Sequence, residues 1–115
     1  MIKMHGIKNC GSVKKAMVFL ESQGVEYEFI DFKKEFPSVE KIEHWLKFVP
    51  LNILCNSKGT TYKKLGLKEK NLDEKGIKRY LAEVPTLIKR PIIEYDDTKV
   101  IVGFDENLYK EIWGK

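Results

Sequence analysis

IKMHGIKNCGSVKKAMVFLESQGVEYEFIDF, residues 2–32, decides the fold. Residues 2–5 read as a short strand. Residues 11–23 then place Val13, Ala16, Met17 and Leu20 at helical spacing, and Gly24 follows as a C-terminal stop. Residues 26–32 alternate Tyr27 and Phe29 before the less regular Ile30 and Phe32, the pattern of a second strand. A strand, a helix and a strand within about 30 residues form a βαβ unit, whose two strands must be parallel with a right-handed crossover.

The remainder of the chain extends this unit. Pro37-Ser38 opens a helix with Ser38 as N-cap and Val39, Ile42, Leu46 and Val49 on one face, and Pro50 closes it. Residues 51–66 are less regular: Asn56-Ser57-Lys58-Gly59 reads as a turn, and Thr60 or Thr61 as the cap of a short helix reaching Leu65. A helix over about 74–83 has Asp73 as its N-cap and Ile77, Tyr80, Leu81 and Val84 as its stripe, with Leu72 placed to staple against Ile77. Ile92–Tyr95 and Lys99–Val102 form a hairpin around Asp96, Asp97 and Thr98. Asp105 caps a last helix that buries Leu108, Tyr109 and Ile112. A parallel pair and a later hairpin join into one mixed four-stranded sheet with flanking helices. The expected class is α/β and thioredoxin-like (glutaredoxin-like), with residues 1–115 as one domain and residues 37–84 as an all-helical insertion.

Composition narrows the function. A chain of 115 residues is long enough for one domain with its own core and short for two. With 43% hydrophobic and 33% charged residues it reads as an ordinary globular protein. No window approaches the roughly 18 consecutive apolar residues of a membrane span. Lys3, His5 and Lys8 interrupt the apolar run that a signal peptide needs, so a cytoplasmic location is expected. Cys10 and Cys55 are too few for a disulfide framework, and without a CxxC pair, and with only two histidines, no metal site is expected. The net charge is +4, but 19 of the 21 basic residues are lysine, Arg79 and Arg90 being the exceptions. Arginine is the side chain suited to bidentate reading of bases, so sequence-specific nucleic-acid binding is not expected.

Chemistry concentrates at Cys10, between the first strand and the first helix. The free N–H groups of a helix N-terminus favour an anion there and lower a thiol's pKa, and Lys8, Lys14 and Lys15 add positive potential. The competing reading is a small buried thiol, against which Asn9, Gly11 and Ser12 suit an exposed turn. Cys55, after Ile53 and Leu54, reads as a buried structural thiol. In PTLIKRPII, residues 85–93, Arg90 precedes a proline at a strand start, where an X-Pro bond can be cis. Arg90 either presents its fork to an oxyanion or carboxylate or packs its stem along the sheet.

GIKNCGSVKKAMVFLESQGVEYEFIDFKK, NSKGTTYKKLGL, PTLIKRPII and VGFDENLY together resemble the arsenate-reductase-related family, over nearly the whole chain and in the family's order. The GIKNC opening and the VGFDE close resemble its YffB-like branch. The resemblance implies a thioredoxin-like fold, Cys10 as the redox nucleophile, Arg90 as an oxyanion holder, Pro91 as a cis proline, and Lys63 as the basic residue after the GTT-type turn. The implied substrate and anion-binding set is Arg90, Lys63, Lys14, Asn9 and Pro91 around Cys10. Three places depart from the arsenate reductases: Gly6 stands for a histidine, Lys14 for an arginine, and Gly103-Phe104 for a region bearing another arginine. Val13 stands where the regulator branch often has a second cysteine.

The function implied is a thiol-dependent reductase acting on a small oxyanion or thiol substrate. Cys10 attacks, and glutathione, as a thiol co-substrate, or a glutaredoxin resolves the adduct. No bound cofactor is expected. The alternative is a non-enzymatic regulator of the Spx kind that binds RNA polymerase.

Overall fold

The computed structural model describes residues 2–96 and 98–114. The chain divides into two compact units, Met1–Asp31 with Arg90–Lys115 and Phe32–Lys89. In chain order the elements are β1 (Ile2–Gly6), α1 (Gly11–Ser22), β2 (Tyr27–Asp31), α2 (Val39–Trp45), α3 (Leu51–Leu54), α4 (Thr60–Leu65), α5 (Leu67–Lys70), α6 (Glu74–Glu83), a 3₁₀ turn (Pro85–Leu87), β3 (Ile92–Tyr95), β4 (Lys99–Val102) and α7 (Glu106–Trp113).

The first unit holds the sheet, in the order β2-β1-β3-β4. β1 and β2 are parallel, with Ile2 opposite Tyr27 and Gly6 opposite Asp31. β3 runs antiparallel to β1, with His5 opposite Ile92, and antiparallel to β4. This is the mixed, thioredoxin-like sheet that the βαβ opening and the later hairpin require. Met4 of β1 and Ile93 of β3 are paired across strands. They share one buried cluster with Val13, Ala16, Phe19 and Leu20 of α1 and Tyr109 of α7. Phe19, not Met17, completes the inner face of α1, and Met17 is half-buried at its margin. Gly24 takes φ 69°, the left-handed turn that ends α1 without a Cβ penalty. In the hairpin turn Asp96 has φ 48°, and Asp97 lies outside the described residues.

Tyr109 anchors α7. Its ring stands edge-on to Phe19 (5.7 Å), Phe104 (4.9 Å) and Trp113 (5.3 Å). Its hydroxyl donates to the Gly103 carbonyl at 2.8 Å. Leu108 and Ile112, expected beside it, are only half-buried. Asp105 caps the helix by accepting from the Leu108 N–H at 3.2 Å.

The second unit is built from short helices and one isolated bridge, Cys55 to Ile88. Ser38 caps α2 by accepting from the Lys41 N–H at 3.1 Å. The helix stops at Trp45, well before Pro50, so the expected face is reset. Ile42, Trp45 and Val49 are buried, Val39 is exposed and Leu46 half-buried. The cap of α4 is Gly59, neither Thr60 nor Thr61, and Thr61 instead hydrogen-bonds Thr86 at 3.4 Å. Gly66 and Asn71, both left-handed, end α4 and α5. Asp73 caps α6 by accepting from the Gly76 N–H at 2.9 Å. Of the expected α6 stripe only Leu81 is fully buried. Among the described residues no helix is long and apolar enough to cross a membrane.

Candidate functional site

Cys10 is the N-cap residue of α1, with extended backbone angles (φ −121°, ψ 127°), and its carbonyl accepts the first helical bond from the Lys14 N–H at 3.0 Å. The thiol is half-buried. Burial by itself raises the pKa of a thiol, because it penalises the charged form. At Cys10 that effect is overcome by the Val13 N–H, a hydrogen bond from the Arg90 side chain, the Ser12 N–H and the Arg90 charge. The net result is a thiol held below its ordinary value, with the means to be a nucleophile. Cys55 shows the reverse: it is 7% exposed and burial alone pushes its thiol up.

Sheet register explains why Arg90 reaches Cys10 across 80 positions. Because β3 is antiparallel to β1 with Ile92 opposite His5, the residues just before Ile92 lie at the C-terminal end of β1. Cys10 leaves the sheet from that same end. The Arg90–Pro91 bond is cis, and the Pro91 carbonyl accepts from the Gly103 N–H at 2.8 Å. Arg90 is half-buried with its Nε enclosed, so the fork is carried on a packed stem.

The other candidates divide between the two units. Asn9 adjoins Cys10 and Lys14 lies one helical turn beyond it, both exposed in the first unit. Lys63 is an exposed residue of α4 in the second unit. Among the described residues no group of three or more His, Cys, Asp or Glu side chains is arranged to hold a metal ion.

Gly6 and Val13 are matched to each other. A Cβ on Gly6 would come within 2.8 Å of Val13 Cγ2, and Val13 is fully buried. The strand therefore passes the first turn of α1 at a distance only glycine permits, and no larger side chain fits at position 6 while valine holds position 13.

Two features escape a reading of the sequence. His5 Nε2 and Glu94 Oε1 lie 2.5 Å apart with both side chains largely buried, tying β1 to β3, the strands from which Cys10 and Arg90 emerge. Their separation of 89 positions becomes visible only through the register. The second is an open cleft of roughly 530 Å³ along α1, lined by Lys14, Lys15, Val18, Phe19, Ser22, Phe104 and Glu106. Its trace in the sequence is Val18, an apolar residue on a face otherwise made of Lys14, Lys15 and Ser22.

Residues 5–112 match the protein family described as the ArsC family. An uncharacterised protein of Haemophilus influenzae is 37% identical, over 96% of each chain. The solved structure of a YffB protein is 30% identical, with a TM-score of 0.90 over 98% of this chain and 99% of its own. An arsenate reductase of Neisseria meningitidis is 28% identical over 80% of this chain and 81% of its own. A global transcriptional regulator Spx of Staphylococcus epidermidis is 25% identical over 93% and 82%.

Proposed function

Because this chain belongs to the ArsC family, we propose that it is a monothiol reductase in which Cys10 is the nucleophile and glutathione the reductant. The observation that carries this is the lowered Cys10 thiol, faced by the Val13 and Ser12 N–H groups and the Arg90 side chain. The Cys10 thiolate attacks one sulfur of a disulfide, a new S–S bond forms as the old one breaks, and the leaving thiolate takes a proton from solvent. Glutathione thiolate then attacks the Cys10 sulfur, displacing the bound half as a thiol and leaving Cys10 glutathionylated. A second glutathione attacks the glutathionyl sulfur, releases glutathione disulfide and restores the Cys10 thiolate. Two glutathione thiols are oxidised for each disulfide reduced.

Arg90 stabilises the attacking and the departing sulfur by charge and by hydrogen bond. Asn9 and Lys14 border the thiol. Arsenate is not the substrate proposed. Lys14 supplies charge without a planar fork, and Gly6 leaves no room for a histidine. The test is glutathione-dependent reduction of a small mixed disulfide by the wild type and by Cys10→Ser. Loss of turnover in the variant, with a wild-type alkylation midpoint below the ordinary thiol value, supports the reading. Unchanged turnover in Cys10→Ser overturns it.

A further inference from the structure

We infer that the cleft along α1 is a binding site for the part of the substrate that stays on Cys10, and that this part is an anionic, aromatic or otherwise apolar thiol. This rests on Cys10 being the attacking thiol, as proposed above. Lys14 and Val18 are four residues apart and follow one another along one side of α1. Cys10, the N-cap, stands one turn before Lys14, whose N–H donates to the Cys10 carbonyl at 3.0 Å. Helical side chains lean toward the N-terminus, which carries the Lys14 side chain back toward Cys10. A ligand with its sulfur on Cys10 passes Lys14 within about one helical turn, some 5–6 Å, and reaches the cleft that Lys14 itself lines.

The cleft is built for such a group. Val18 is 66% exposed, the most exposed large apolar side chain among the described residues. Behind it the floor is formed by Phe19 and Phe104. Both rings are locked edge-on against the fully buried Tyr109, which is itself tied to Gly103. An apolar group meets a rigid surface here, so little ordering is required on binding. The charges select the sign. Lys14 and Lys15 both line the cleft, whereas Glu106, the one acidic residue there, lies 3.8 Å from Lys110. The cleft therefore offers net positive charge beside an apolar floor, which complements a carboxylate on an aromatic or aliphatic body.

The reaction places half of a disulfide on Cys10, so the preference is readable as a rate. Wild-type protein is treated under single-turnover conditions with 5,5′-dithiobis(2-nitrobenzoate), neutral 4,4′-dithiodipyridine, cationic cystamine and glutathione disulfide. Each rate is divided by that of a free model thiol, which removes the leaving-group contribution, and modification of Cys10 is assigned by peptide mass. The nitrobenzoate disulfide is expected to be favoured over cystamine and the neutral disulfide by about tenfold. Lys15→Glu and Val18→Asp, both at exposed positions, are expected to abolish that preference. Iodoacetamide alkylation of Cys10, read at a pH where the thiol is fully ionised, and the thermal midpoint stay at wild-type values. A flat profile, or a preference for glutathione disulfide, in a protein whose Cys10 alkylates rapidly at neutral pH overturns the cleft assignment and leaves the nucleophile standing. Alkylation of Cys10 no faster than the model thiol removes both.

Discussion

At the scale of single residues, the thiol at position 10 is governed by two supports of different origin. The Val13 and Ser12 N–H groups come from the helix terminus, whereas Arg90 supplies a hydrogen bond and a charge from across the sheet. The two contributions of Arg90 are separable by substitution. Arg90→Lys retains a positive charge and loses the fork, and Arg90→Met loses both. The midpoint of Cys10 alkylation against pH is therefore expected to rise in the order wild type, Arg90→Lys, Arg90→Met. The Val13 and Ser12 N–H groups remain in every variant; identical midpoints in all three would exclude Arg90 from the site. Gly6 gives a second test. Gly6→Ala drives a methyl into Val13 Cγ2, an overpacking expected to cost about 1–3 kcal/mol, measured by urea unfolding. Adding Val13→Ala opens the same space and should return part of that loss, a coupling that two independent destabilisations would not show.

At the scale of elements, what the sequence revealed depended on how many turns or alternations a segment offered. The opening βαβ unit was legible because α1 runs for 12 residues and Gly24 marks its end. The hairpin was legible because two four-residue runs flank one polar turn. α3 and α5, four residues each, contain too little repeat to show a period. The face of α2 was misassigned because the helix ends at Trp45, after which Val49 is buried without being helical. Within the site, Cys10 was legible from its flanks, while its contact with Arg90 and the His5–Glu94 pair required the register of β1 against β3. Caps were the most dependable local signal, correct at Ser38, Asp73 and Asp105. The exception is Gly59, where a threonine was expected. Asp73 is the clearest to test, since its carboxylate accepts from Gly76 at 2.9 Å. Asp73→Ala is expected to destabilise the fold by about 1 kcal/mol, and Asp73→Asn, which keeps the accepting oxygen, by much less. Equal losses in thermal unfolding would show that the cap is not the cause.

At the scale of the whole molecule, titrating groups among the described residues shape how stability responds to alkaline pH, and they do not all act in the same sense. The folded Cys10 thiol is held low, so its contribution is full above the unfolded thiol's value of about 8.5 and declines as pH falls through its folded value. Cys55 and Tyr109 are raised, chiefly by burial, and at Tyr109 also by the Asp105 charge. Their contributions are full below their unfolded values, about 8.5 and 10, and are lost as pH rises toward the folded ones. Tyr27 is raised as well, by burial and Glu21, but it is only half-buried and solvent screens it. Cys10 is also partly exposed, so the two buried groups prevail above pH 8.5. The urea midpoint is expected to fall from about pH 8.5 upward and more steeply beyond about pH 10. Cys55→Ala should flatten the first part of that decline. Tyr109→Phe should flatten the second, while lowering stability at neutral pH by about 1–2 kcal/mol, because the buried Gly103 carbonyl loses its 2.8 Å partner. An unchanged slope above pH 10 in Tyr109→Phe would mean that ionisation of this hub is not what opens the first unit, and that the stack of Phe19, Phe104 and Trp113 tolerates a charge at its centre.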